Sequence, residues 1–252
     1  RLYIFMGVLK KLIAYPLSII YYACFGIILL IFHPLQWMSL KLGGYRMHEI
    51  MVNYMNLFLI KSLHILGTKI SFRNKFNLPT DRPLIIVSNH QSLNDIPTIS
   101  WYLRKFHPKF VAKKELEKGI PSVSFNLRNG GSVLIDRTSP KQALTLLKKL
   151  GQLIEKKTFS AVIFPEGTRS RDGHPKKFSE NGLKMLVKFA PSSVIVPITI
   201  NNSWEFLQYG GFPMKVGVHL SFDVHEPIET NSLKFTELFE KVEQTIKNAV
   251  VL

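Results

Sequence analysis

Hydrophobic and polar positions divide this chain into two unlike parts. Residues 12–32 form a run of 21 positions without a charge, rich in Ile, Leu, Phe and Tyr. Such a run is long enough for a helix crossing about 30 Å of hydrocarbon. Residues 49–66 are apolar but interrupted by Asn53, Asn56, Lys61 and His64. There Met51, Tyr54, Met55, Phe58, Leu59, Ser62 and Leu63 recur near helical spacing, which predicts an amphipathic helix ending at Gly67. A bend at His33-Pro34 or at Gly43-Gly44 would fold the two segments into a hairpin.

Beyond Gly67 the period changes. Short apolar runs at 68–73, 84–87, 109–112, 130–135, 159–164, 194–200 and 216–224 read as strands. Helical patterns fall between them at 96–105, up to Arg128, 138–157 and 182–189, with a last one at 235–250. Thr138-Ser139-Pro140 is a helix start, and Ala143, Leu144, Leu147, Leu150 and Ile154 should face inward. Continuous apolar strands alternating with helices predict an α/β fold with a largely parallel mixed sheet flanked by helices, preceded by an N-terminal membrane-associated helical pair. The expected division is membrane-anchoring helices over 1–66 and an α/β domain over 67–252.

The chemistry gathers just after strands. His90 follows the run 84–87 and precedes Asp95 by five residues in Asn89-His90-x4-Asp95. A bend between them would bring carboxylate to imidazole, fixing the tautomer and raising the basicity of the other ring nitrogen. The plain alternative is that Asp95, just ahead of Pro97, caps a helix. Asp136-Arg137 and Glu166-Gly167-Thr168-Arg169 also follow strands, and Lys113 and Lys114 end another. In open α/β sheets ligands gather at such carboxyl ends. Arg137 and Arg169 present forks that match phosphate oxygens, and Lys113 or Lys114 would add a point charge. Gly167 allows close backbone approach, and N–H groups at that turn or nearby polar side chains are candidates to hold an oxyanion. Glu166 either bonds a substrate hydroxyl or orients Arg169, and Asp136 reads as structural.

Charge and composition sharpen this picture. Lys and Arg number 33 against 17 Asp and Glu, a net charge of +16. An excess of this size favours an anionic partner. The basic residues are dispersed and form no nucleic-acid motif, so a membrane surface explains them better than nucleic acid does. Basic residues flank the first apolar run on both sides, which leaves orientation open between a true span and a hairpin in one leaflet; the hairpin is favoured. The sole cysteine, Cys24, excludes an intrachain disulfide and a cysteine-rich zinc site, consistent with a reducing compartment. The histidines show no ligand spacing, so no metal is expected.

Four blocks in order carry a resemblance: Asn89-His90-x4-Asp95, Gly131-x3-Ile135-Asp136-Arg137, Phe164-Pro165-Glu166-Gly167-Thr168-Arg169-Ser170, and Val194-x-Val196-Pro197-Ile198. Together they resemble the glycerolipid acyltransferases, in particular the bacterial 1-acyl-sn-glycerol-3-phosphate acyltransferases. The resemblance implies an enzyme that moves an acyl group from acyl-coenzyme A or acyl carrier protein to the sn-2 hydroxyl of lysophosphatidic acid. It implies His90 as general base oriented by Asp95, and Arg137 and Arg169 on the acceptor phosphate, helped by Lys113 or Lys114. Glu166, Gly167 and Thr168 would shape the acceptor site, and Pro197 would be structural or acyl-lining. No cofactor or metal is implied, only the thioester as co-substrate. The partners would be the membrane bilayer, lysophosphatidic acid and the acyl carrier. The location would be the inner (cytoplasmic) membrane, with the catalytic domain on its cytoplasmic face. Serine in Ile120-Pro121-Ser122-Val123-Ser124-Phe125 departs from the glycine of many relatives. Other readings are the same chemistry on another lysolipid or glycerol-3-phosphate, and a non-catalytic protein that binds anionic lipid.

Overall fold

The computed structural model describes residues 2–136 and 138–252. The N-terminal helix α1, Leu2–Ser62, is two arms joined at Gly44, whose φ of 66° and ψ of −162° are not helical. Of the two expected bends, the chain takes the glycine pair. Gly44 occupies a positive φ open to glycine, and a Cβ on Gly43 would fall 2.2 Å from Met47 Cγ. Pro34 lies inside the first arm. The arms pack antiparallel: Leu29 and Phe32 cluster with Met55 and Leu59, and the Phe32 and Phe58 rings lie 5.8 Å apart. The inward stripe of the second arm differs from the expected one. Met55, Leu59, Ile60 and Leu63 are buried, while Tyr54 and Phe58 are about half exposed. The cause is a second partner, because Leu63 and Leu66 also enter the core of the sheet. A 3₁₀ turn, Leu63–Leu66, then closes on Gly67, which has φ of 67° and donates to His64 O.

The sheet has eight strands: β1 Lys69–Arg73, β2 Leu84–Ser88, β3 Pro108–Lys113, β4 Val133–Ile135, β5 Ser160–Ile163, β6 Val194–Asn201, β7 His219–Val224 and β8 Ile228–Glu229. Their order is β1-β7-β6-β2-β5-β3-β4, with β8 also paired to β6. Among the described residues, only the pairings of β6 with β7 and β8 are antiparallel. The sheet is therefore largely parallel and mixed, as the apolar strands predict. Strands β2 to β6 all point the same way, so their carboxyl ends share one edge. β2 lies in the middle of that edge, with β5 on one side and β6 on the other.

Successive side chains leave a strand on opposite faces. Leu84 and Ile86 of β2 accordingly join Tyr21, Leu63 and Ile99 on the face covered by the hairpin and α2, Asp95–Tyr102. Ile85 and Val87 join Leu150, Leu186 and Val242 on the other face. That face is covered by α4 Pro140–Lys157, α5 Glu180–Phe189 and α6 Phe235–Asn248. The buried stripe of α4 holds Leu147, Leu150 and Ile154, whereas Leu144 is exposed, contrary to the pattern. The first turn of α4 instead joins the end of β4, where Gln142 Oε1 accepts from Asp136 N at 3.0 Å and Gln142 Nε2 donates to Leu134 O at 3.4 Å. Gly151 is where α4 meets α5 closely, since a Cβ there would lie 2.8 Å from Phe189 Cβ.

Pro197 lies within buried β6, where a missing N–H would normally break a ladder. His225 N donates to Pro197 O at 2.9 Å, and a strand residue turns its N and O to the same side. The absent donor thus faces the gap between β7 and β8, where no ladder needs it. Of the two serines in the stretch 120–125, Ser122 leads into α3 Val123–Asn129 with φ of 61°, a conformation that glycine adopts more readily. Its hydroxyl donates to Leu29 O, and its N–H donates to His33 Nδ1 at 3.0 Å, anchoring the first arm.

Candidate active site

β2 delivers His90 through a side chain that imitates backbone. Asn89 Nδ2 donates to Ile200 O at 2.8 Å, and Ile200 N donates back to Asn89 Oδ1 at 2.7 Å, continuing the pairing of β2 with β6 past its end. The chain then bends, and Asp95 opens α2 with its carboxylate folded back over the loop. Asp95 Oδ2 accepts from Gln91 N at 2.7 Å, from Ser92 N at 2.9 Å and from His90 Nδ1 at 2.9 Å. These partners precede the helix, so the carboxylate closes the loop rather than caps α2. Asp95 is fully buried, and the His90 side chain is 15% exposed. The imidazole stacks on Phe164 at 4.1 Å and 17°. With Nδ1 donating to a carboxylate, Nε2 is the acceptor nitrogen, and it has no hydrogen-bond partner among the described residues.

The neighbouring strand β5 holds this loop by two ties. His90 N donates to Glu166 Oε1 at 2.8 Å, and Ser170 N donates to His90 O at 2.8 Å. Lys176 N takes the other oxygen of Glu166, also at 2.8 Å. Burial pushes the Glu166 carboxyl up, offset in part by these two N–H donors. Of the two sequence readings of Glu166, the one that orients Arg169 is not met among the described residues: its oxygens accept from backbone N–H groups on two loops, and it forms no ion pair with Arg169. Gly167 has φ of 69°, the reason for glycine, while open space surrounds the position of a Cβ. Its N–H donates to Phe164 O at 2.9 Å, so that group is not a free oxyanion donor.

Basic residues lie farther along the same edge. Lys113 ends β3, which is two strands from β2, about 10 Å away at the usual spacing. Lys113, Lys114, Thr168 and Arg169 are all exposed, and Lys176 Nζ donates to Arg169 O at 3.0 Å. Arg137 lies outside the described residues. Asp136, after β4, accepts from the hydroxyl and N–H of Thr138, which with Lys114 nearby hold its carboxyl below the usual range. An open cleft of about 350 Å³ is lined by Lys114, Glu115, Glu117, Lys118 and Asp136. The edge therefore combines an oriented imidazole with cationic side chains spread over several strands. That combination suits a proton acceptor working on a substrate that carries negative charge.

Three polar partners of the loop are not evident from sequence: Gln91, Ser92 and Ser203. Ser203 follows β6 as Glu166 follows β5, and a polar residue just past a strand end is the signal that would have marked it.

Residues 69–201 match the family model described as acyltransferase, just over half of the chain. The chain belongs to the acyltransferase family. This acyltransferase is 30% identical over 196 residues to the 1-acyl-sn-glycerol-3-phosphate acyltransferase of Borreliella burgdorferi, covering 74% of the chain and 76% of that relative. It is 38% identical over 127 residues to the Helicobacter pylori enzyme of the same name, covering 47% of the chain and 51% of the relative. A chloroplastic 1-acyl-sn-glycerol-3-phosphate acyltransferase of Arabidopsis thaliana is 32% identical over 161 residues, covering 64% and 44% respectively. The chain spans about half the length of these last two relatives. The crystal structure of the 1-acyl-sn-glycerophosphate (LPA) acyltransferase from Thermotoga maritima superposes with a TM-score of 0.78 over 95% of both chains at 24% identity. The acyltransferase thus shares that fold from the N-terminal helices to the last.

Proposed function

We propose that the chain transfers a fatty acyl group from an acyl thioester, on coenzyme A or acyl carrier protein, to the sn-2 hydroxyl of lysophosphatidic acid, giving phosphatidic acid. The observation that carries this reading is the imidazole with Nδ1 donating to buried Asp95 and Nε2 left free. His90 Nε2 takes the proton of the acceptor hydroxyl as its oxygen attacks the thioester carbonyl. The tetrahedral intermediate collapses with cleavage of the C–S bond, and the imidazolium returns its proton to the leaving thiolate. The hydroxyl attacks directly, so no acyl-enzyme forms and no cofactor enters. Arg169 and Lys113 or Lys114 receive the acceptor phosphate, and Arg137 belongs to the same proposal through the family motif. Thr168, also exposed, would shape the acceptor site together with Glu166 and Gly167.

The substrate is an anionic lipid, and the hairpin fits a protein working at one leaflet. Leu12, Ile19, Ile27, Leu30, Ile31 and Leu42 of the first arm are each more than half exposed, a larger apolar surface than soluble monomers leave open. The same arm is bonded lengthwise to the α/β domain. Met214 N donates to Ser18 Oγ at 2.8 Å, Tyr21 Oη donates to Asn94 Oδ1 at 3.2 Å, and Ser122 reaches Leu29. A segment so attached to the domain lies in an interface rather than crossing alone. This favours peripheral insertion over a span, and the cytoplasmic side of the inner membrane enters the proposal through the family resemblance alone.

The test is acyl transfer by purified protein in mixed micelles, with long-chain acyl-coenzyme A and lysophosphatidic acid. Product is expected from the native chain, and His90→Ala should lower turnover by about 10²- to 10⁴-fold. Undiminished turnover in that variant would overturn the base role. Turnover only with a different lysolipid or glycerol-3-phosphate would replace the acceptor.

A further inference from the structure

The loop that carries His90 is gripped from both sides; Glu166 and Ser170 on the β5 side lie in a motif block, whereas Ser203 on the β6 side lies outside every block. On the other side, immediately past β6, a 3₁₀ turn spans Ser203–Leu207. Ser203 is fully buried, and its hydroxyl donates to Asp95 Oδ1, the carboxylate oxygen that His90 does not use. The hydrogen-bond directions around it are self-consistent. Asn94 N donates to Ser92 Oγ at 3.1 Å; the Ser92 hydroxyl in turn approaches Ser203 Oγ, leaving the Ser203 proton for Asp95. Ser203 is itself fixed, since its N–H donates to Gln91 Oε1 at 2.9 Å, and Gln91 Nε2 reaches Gly173 O at 3.4 Å. A buried carboxylate with one free oxygen would be costly and free to rotate. Here Oδ2 faces His90 and two backbone N–H groups, while Oδ1 is held closely by the Ser203 hydroxyl from a different strand, with the Ser92 hydroxyl a longer second donor at 3.4 Å.

Resting on the acyl-transfer reading above, we propose that Ser203 is a positioning residue for the reaction, acting through Asp95 to hold the His90 imidazole in its donor-at-Nδ1 tautomer. It does not touch substrate. Its loss should therefore lower turnover without weakening the binding of either substrate.

The experiment compares the native chain with Ser203→Ala, Ser203→Thr and Ser92→Ala in the micelle assay, and follows the Nδ1 proton of His90 by NMR of histidine-labelled protein. The signal missing from His90→Ala assigns that proton. Ser203→Ala should reduce kcat by about 10- to 100-fold, the scale for a buried bond to a charged group, with both KM values within about twofold. Its Nδ1 proton signal should shift or broaden. Ser203→Thr, which keeps the hydroxyl, should restore both properties most of the way. If the added methyl unfolds that variant on melting, Ser92→Ala decides, because it leaves the Ser203 donor in place and should cost less than Ser203→Ala. An unchanged proton signal in Ser203→Ala, or a rise in KM with kcat preserved, would overturn the proposal, as would a larger loss in Ser92→Ala. The NMR arm needs no turnover. A native chain inactive on lysophosphatidic acid would therefore refute the substrate reading while the Nδ1 signal still judged Ser203.

Discussion

Leu12, Ile19, Leu30 and Leu42 on the helical hairpin are between 60% and 85% exposed, whereas Asp95 at the sheet edge is fully buried with hydrogen bonds to both oxygens. The hairpin's outer surface requires only apolar area, which is non-directional and tolerant of small shifts. The carboxylate requires donors at fixed positions, because a buried charge gains from its partners only when the geometry is good. One region therefore presents a broad surface to a fluid partner, and the other fixes one side chain through directional bonds. The two meet at Tyr21 of the first arm, bonded to Asn94, and at Ser122, bonded to Leu29.

The largest expected effect strikes the directional region. Asp95→Asn would set an amide N–H₂ against the His90, Gln91 and Ser92 donors or turn its oxygen away from Oδ1's hydroxyl partner. Turnover should fall by about 10²-fold or more, with little change in membrane association, as measured by assay and vesicle flotation. Activity within threefold of native would erase the contrast between the regions. Next, Leu30→Ser alone should lower partition onto anionic vesicles by roughly 10- to 100-fold, given about 1.5–3 kcal/mol for a buried apolar side chain. Turnover in micelles at saturating lipid should change less than threefold. A matching loss of turnover would mean that the hairpin shapes the catalytic edge directly.

The smallest effect tests the helix-covered face away from the site. His225 Nε2 bonds Thr199 Oγ1 at 2.7 Å, and burial holds its imidazole below the usual value despite nearby Asp223. The folded state therefore binds the proton less readily than the unfolded chain. Stability is full above the unfolded value near 6.5 and declines as pH falls from there toward the lower folded value. Melting temperatures between pH 7.5 and 5.5 should show this decline, and His225→Gln should make it shallower. An identical slope in the variant would assign the acid sensitivity to other groups.

Much of this architecture is written locally. The uncharged run at 12–32, the short apolar strands and the polar residues just past them name the hairpin, the α/β sheet and the edge that holds His90, Lys113 and Glu166. Each follows from neighbours in sequence, because periodicity and strand length depend on the residues within one element. The bend at Gly44 was legible as one of two places where the chain could turn, and the inward faces of the second arm and α4 were misread because those faces depend on what lies opposite. Glu166 was left between bonding a substrate hydroxyl and orienting Arg169 because only its local spacing was visible, while its partners His90 N and Lys176 N belong to loops 76 and 10 residues away. Ser203 was not singled out at all. It meets Asp95 across 108 residues of sequence, and that meeting exists only because β6 is inserted beside β2 with its carboxyl end on the same edge. Strand order is settled by packing both faces of the sheet at once, which no stretch of the chain specifies alone. The sequence by itself determined which residues stand at the ends of strands; the tertiary structure decided which strand ends are neighbours, and so which hydroxyl completes the carboxylate behind His90.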